Sequence, residues 1–334
     1  MDIDRSAYSG GVPMHNIEEC QKDAAKYDRK FYDGYEYVGY HEIHEGINTF
    51  RIAFPHDPAD SPYVPIRIAN LEILIDEYNA DGEKTGAQVW KRRKVYISTQ
   101  HGPKDQNNRP LIKEDIIETY IEHLMTFLKE IESNSKEREK LLAPIHGSWV
   151  EGKWRWGIRP ETKTVCFAWN DKGELKLLEL NKRWYSEVEA LIVGSSKPGE
   201  PVIDCFSHID NGFPLIIEKV VNKEPGKRNK IEYKIRKEFP DANKREGWDT
   251  FFERTRITDE QISELLEKKS LKQMFTNNYT RSDFKKIAAG LQRFDKENKF
   301  NLFNDNNFRN KCTEIKDNIW AYIEDEEENK EQNS

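Results

Sequence analysis

Between Trp149 and Leu191 the apolar residues change their period, and that change constrains the fold more than any other feature of the chain. Trp154, Trp156 and Ile158 alternate with Lys153, Arg155 and Gly157, which places the first three on one face of an extended segment. After the Arg159-Pro160 break, the pattern predicts a second strand over Val165–Trp169, a turn at Asn170-Asp171-Lys172-Gly173 and a third strand over Leu175–Leu180. Asn181 then stands where a helix cap is needed, before a helix that begins at Lys182 and carries Trp184, Val188 and Leu191 at helical spacing. The centre of the chain is therefore expected to be a meander of short antiparallel strands feeding one helix.

The remaining segments extend this pattern to both sides. Met14–Phe31 reads as a helix with Ile17, Cys20, Ala24, Tyr27 and Phe31 on one stripe, followed by a cluster of Tyr32, Tyr35, Tyr37 and Tyr40. Asn48–Pro55 and Tyr63–Tyr78 read as strands, and the Asp81-Gly82 turn leads to a basic strand over Gln88–Thr99. From Lys113 to Leu142 the period is helical, which looks like a helical insertion in a β-domain. Gly194–Pro201 reads as a loop, and Val202–Val221, with a turn at Asp210-Asn211-Gly212, pairs with Lys230–Phe239 as a long hairpin. Thr258 and Gln261 form a capping box, and further helices are predicted over Asp283–Phe294 and Asn306–Ile323. The fold class expected is α+β: an OB-like Greek-key β-barrel core with a helical insertion and a C-terminal helical region. The corresponding division is an N-terminal arm and helix at 1–40, a core at 41–255 with the insertion at 110–146, a helical region at 256–323 and an acidic tail at 324–334.

Charge and composition narrow the function classes. The net charge of −7 argues at first against a polyanionic partner, but the last eleven residues, from Glu324, hold six acids and one lysine. They account for −5, so the rest of the chain is near neutral. Basic runs stand out within it, Lys91–Lys94 and Lys227–Lys237. A strand with Lys and Arg on both faces cannot be central to a buried sheet, so at least one face of the Lys91–Lys94 strand meets solvent or an anion. Four cysteines, Cys20, Cys166, Cys205 and Cys312, lie far apart without zinc spacing, so neither a metal site nor a disulfide framework is indicated and a reducing cytoplasm fits. No signal peptide and no membrane-length apolar run is read.

Flat rings interleaved with cations suit single-stranded nucleic acid, because rings stack on bases and cations hold phosphates. The candidate contacts are Trp90, Arg92, Arg93, Lys94, Tyr96, Lys153, Trp154, Arg155 and Trp156, followed by Trp169, Tyr233 and Lys234. The competing reading of each tryptophan is core packing. A second reading is a metal-dependent nuclease, with Asp210, Glu232 and Lys234 as two carboxylates for Mg²⁺ and a lysine for the attacking water; a third is a phage structural or scaffold protein. His41-Glu42-Ile43-His44-Glu45 lacks the HExxH spacing and is read as surface.

The order of these segments resembles the single-stranded DNA-binding protein of T-even-type phages. Asn48-Thr49-Phe50-Arg51-Ile52-Ala53-Phe54-Pro55 matches a strand ending in Arg-hydrophobic-Pro, and the basic strand Trp90–Tyr96 follows it. Leu177–Tyr185 echoes a later strand and helix, Asp204-Cys205-Phe206-Ser207 an Asp-Pro-Phe-Asp segment, and Asp210–Ile217 a Gly turn with a hydrophobic strand. The resemblance covers residues 45–240 and the acidic tail. It implies a non-enzymatic, sequence-independent binder of single-stranded DNA in phage replication, recombination and repair, in the host cell cytoplasm, with the tail docking replication or recombination proteins. By its charge alone, the tail mimics a phosphate backbone and is expected to visit the basic groove. Self-association on DNA belongs to the family, although residues 1–13 lack its basic motif. The family's zinc subdomain has no counterpart here, so no cofactor is carried over.

Overall fold

The helix predicted after Asn181 forms where the cap places it: the Asn181 side chain accepts a hydrogen bond from the Trp184 amide at 3.0 Å, and the helix runs Lys182–Val193. It is one element of an α+β chain, known here from a computed structural model that describes residues 39–78, 84–107, 109–129, 136–150, 153–195, 202–222, 230–275 and 279–323. The predicted N-terminal arm and helix, the Asp81-Gly82 turn, most of the Gly194–Pro201 loop and the acidic tail lie outside these residues.

In chain order the strands are β1 (Gly46–Ile52), β2 (Val64–Tyr78), β3 (Lys84–Tyr96), β4 (Ser148–Val150), β5 (Lys153–Arg155), β6 (Glu161–Asn170), β7 (Leu175–Asn181), β8 (Leu215–Asn222) and β9 (Lys230–Lys237). The longer helices are α1 (Ile116–Leu128), α2 (Lys136–His146), α3 (Lys182–Val193), α4 (Trp248–Thr255) and α5 (Asp259–Leu266). They continue with α6 (Leu271–Phe275), α7 (Arg281–Asn298) and α8 (Asn306–Tyr322). Contacts divide the chain into two units, Met1–Pro65 with Lys163–Phe275 and Ile66–Thr162 with Thr276–Ser334. The expected division, one core over 41–255 followed by a helical region, is thus cut differently: the chain leaves the first unit at Pro65 and returns at Lys163, and the C-terminal helices are shared out between the units.

The first unit holds an antiparallel sheet in the order β7-β6-β1-β8-β9. Gly173 adopts φ +77°, a conformation glycine takes without steric cost, and so closes the predicted turn between β6 and β7. Phe50, Ile52, Cys166, Ala168, Leu178, Leu180, Leu215 and Ile217 of the sheet pack against Tyr185, Val188 and Ile192 of α3. Full burial of each large aliphatic chain contributes about 1.5–3 kcal/mol. Among the described residues no pairing joins β9 to β7, so the sheet is open. The hairpin of β8 and β9 forms, in the register Asn222 opposite Lys230 through Leu215 opposite Lys237. Its predicted first half is not strand, however: residues 204–212 are loop, because the carbonyls of Phe206, His208 and Ile209 turn inward to the guanidinium of Arg51. Thr255 supplies a fourth long-range carbonyl at 2.7 Å. Gly212 presses against this guanidinium so closely that a Cβ there would collide with it.

In the second unit β2 and β3 form a long antiparallel ribbon, Ile68 opposite Tyr96 and Leu74 opposite Trp90. The helical stripe expected from Lys113 onward becomes α1, whose Ile116, Ile117, Tyr120, Leu124 and Leu128 share one core with Leu71 and Val95 of the ribbon, Phe284, Ile287 and Leu291 of α7, and Phe308, Ile315 and Ile319 of α8. Asp115 caps α1, accepting from the Ile117 amide at 2.8 Å, and its other oxygen accepts from the Ser98 amide and hydroxyl at 2.7 Å each. Burial raises the Asp115 carboxyl above its usual range, and those hydrogen bonds oppose the rise. No helix among the described residues is long and apolar enough to cross a membrane.

Candidate nucleic-acid interface

Side chains on β3 alternate between the two faces of the ribbon. Trp90, Arg92, Lys94 and Tyr96 share a face with their cross-strand partners Leu74, Glu72, Asn70 and Ile68, while Lys91, Arg93 and Val95 share the other with Ile73, Leu71 and Ala69. Val95, Leu71 and Ala69 are buried in the core, so the second face is covered at its Val95 end. Lys91, Arg92, Arg93 and Lys94 are all exposed, as the distribution of charge over both faces demanded. Trp90 is 37% exposed and Tyr96 half-buried, its ring 4.9 Å from that of His101.

The segment after β5 is brought to the same face. Arg92 donates to the backbone carbonyl of Trp156, whose ring is 53% exposed. Partial burial lowers the Arg92 guanidinium from its ordinary value; Glu72 opposes this across the ribbon, and the charge of Arg155 adds to the lowering. Such a cluster, with adjacent rings, is suited to an extended anion that presents bases. Trp90 is furnished further by a residue that no local pattern in the sequence reveals. Arg293 of α7 lies 4.6 Å over its ring, ion-paired to Glu297 at 2.7 Å and to Glu72 at 3.5 Å.

The predicted strand through Trp154, Trp156 and Ile158 ends earlier than expected. β5 stops at Arg155, and the amides of Ile158 and Arg159 donate to the carbonyls of Pro144 and Ile145 at the end of α2, which buries Ile158 while Trp156 stays exposed. Lys153 and Trp154 keep backbone pairs with Val150 and Trp149. Their side chains lie outside the described residues.

The three remaining candidates belong to the first unit. Trp169 is a core residue, 1% exposed, with its Nε1 donating to Glu264 at 2.9 Å, so neither ring face is open to a base. Tyr233 is half-buried with its ring 4.6 Å from Trp184, on the core side of β9. Lys234 is exposed opposite Glu218.

Of the residues weighed for metal chemistry, Glu232 is ion-paired to Lys230 at 2.6 Å on the same strand face as Lys234. Among the described residues no group of three or more His, Cys, Asp or Glu could hold a metal ion. His41, read as surface, is half-buried in the first unit, its Nε2 2.8 Å from the Ala168 carbonyl. No protein-family model matches the sequence, and no curated protein matches it.

Proposed function

We propose that the protein binds single-stranded DNA without sequence preference, and that the second unit presents the strand-binding face. The observation that carries this reading is the β3 face, where exposed Trp90, Arg92 and Lys94 stand in register ahead of the half-buried Tyr96, and Arg92 donates to the Trp156 carbonyl. Stacking contributes about 1–3 kcal/mol per base, and each phosphate contact adds counterion release. The resemblance to the T-even-type family extends the reading to phage replication, recombination and repair in the host cytoplasm, with partner proteins docked by the acidic tail. The antiparallel sheet of the first unit, with α3 in mid-chain, supports an OB-like Greek-key ancestry for that unit.

Titration of the full chain with oligo-dT in the absence of Mg²⁺ tests the proposal. Binding without cleavage, tryptophan quenching and an affinity that falls steeply as salt rises are expected. Mg²⁺-dependent cutting abolished by Asp210→Ala would replace the reading with the nuclease, and no affinity at low salt would leave the structural-protein reading.

A further inference from the structure

A second tryptophan of the second unit has cations gathered about it. Around the half-buried ring of Trp320 on α8 lie Arg281 at 5.5 Å, Lys285 at 6.0 Å and Lys316 at 5.8 Å from its centroid. Arg281 also donates to the Trp320 carbonyl at 2.8 Å, which holds the start of α7 against the end of α8. Three like charges gathered on one indole repel one another, and the arrangement costs free energy unless an anion joins it. Of the carboxylates close by in sequence, Asp283 closes a capping box with Thr280 and Glu314 pairs with Lys311 at 3.0 Å, while Asp317 is exposed and makes no ion pair with these cations among the described residues. Lys285 and Lys316 are exposed and make no ion pair or hydrogen bond among the described residues.

We propose that the acid-dense run Glu324–Glu328 of this same chain docks in cis on the cation ring about Trp320. Charge complementarity and chain length both favour this occupant. The run is five consecutive carboxylates, and it starts four residues past Trp320. Ile323, one residue before it, is 5% exposed and packed in the core of the second unit, so the point from which the run departs is fixed beside the ring. At about 3.4 Å per extended residue, the five carboxylates lie within roughly 14–27 Å of chain from Trp320. The β3 face is further along: Arg293, which covers Trp90, follows Arg281 and Lys285 on α7 by eight to twelve residues, about 12–18 Å of helix. A short tether gives the nearer ring an effective carboxylate concentration in roughly the millimolar range, which a free anion must exceed to displace it. The proposed docking uses this nearer ring and needs no nucleic acid.

Zero-length carbodiimide coupling of the full-length protein, free of nucleic acid at low salt, reads the contact directly. A carboxylate of residues 324–328 and the amine of Lys285 or Lys316 would be joined as an amide with loss of water, the carbodiimide being converted to its urea. Mass spectrometry of the monomer should find these pairs, and they should vanish in about 1 M salt, where screening acts within about 3 Å. Tail coupling confined to Lys91 or Lys94, or absent from the monomer, would overturn the proposal. As an independent readout, deletion of residues 324–334 should raise iodide quenching of the Trp320 signal, taken as wild type minus Trp320→Phe, by about twofold or more, since a vacated cation ring attracts an anionic quencher. Unchanged quenching would contradict the docking. Protection of Lys285 and Lys316 from acetylation by oligo-dT, equal with and without the tail, would give the ring to nucleic acid instead and likewise overturn it. Because the coupling contains no DNA, its failure is separate from failure of the strand-binding reading.

Discussion

Two buried ionisable groups, Arg51 in the first unit and Asp115 in the second, are satisfied over very different distances along the chain. In the first unit Arg51, 8% exposed, is held by carbonyls of Phe206, His208, Ile209 and Thr255, which come 155 to 204 positions later. In the second, Asp115, 1% exposed, is held by Ser98, Ile117 and Glu118, within 17 positions. Burial pulls the Arg51 guanidinium down to about 10, with Asp204 opposing the change, so it is still a cation at neutral pH. A cation fixed by remote carbonyls ties a loop and a helix to β1, whereas the carboxylate fixes the start of one helix. Loss of the first should therefore cost more than loss of the second.

Arg51→Met should destabilise the protein by about 3–5 kcal/mol, because it leaves several buried carbonyls without a donor. Asp115→Ala should cost about 2–3 kcal/mol, through the lost cap and the stranded Ser98 groups. Urea unfolding of both variants measures the difference, and a larger loss in Asp115→Ala would break the comparison.

The same contrast in range explains what could be read from the sequence. The turn ending at Gly173, the Asn181 cap, the Thr258–Gln261 capping box, the α1 stripe and the pairing of β8 with β9 rest on near neighbours, and each forms where the pattern places it. The pattern predicts strand over residues 202–209, before the turn at Asp210-Asn211-Gly212, and residues 204–209 are loop instead because what bends them is Arg51, far back in the chain. Division into units was equally hidden, since α1 finds its partners in α7 and α8. At the candidate interface, alternation on β3 was legible, but the Arg293 cover of Trp90 and the burial of Trp169 under Glu264 depend on helices with no local link to those tryptophans.

A smaller effect should appear with pH, and the first unit should supply it. His41 and His56 both lie there, and burial lowers both from an ordinary value of 6.5, against hydrogen bonds to the carbonyls of Ala168 and Lys268. The folded form resists a proton that the unfolded chain accepts, so their contribution is complete above about 6.5 and is lost as pH falls below it. The loss should be read between about pH 7 and 5. Unfolding midpoints across that range should decline less steeply in His41→Gln/His56→Gln; an unchanged slope would remove these histidines from the account.

The central claim is that the second unit, through β3 and the segment drawn to it, holds the DNA strand. The salt dependence of oligo-dT affinity tests it most directly, comparing wild type with Arg92→Gln/Lys94→Gln/Arg155→Gln and with Lys234→Gln. Each lost phosphate contact lowers the log–log salt slope by about 0.7, so the triple variant should lose about 2 from the slope and bind about tenfold or more weaker at low salt. Lys234→Gln, in the first unit, should change the slope by no more than about 0.7. A triple variant with the wild-type slope and affinity would contradict the claim and return the β3 cations to a solvated surface.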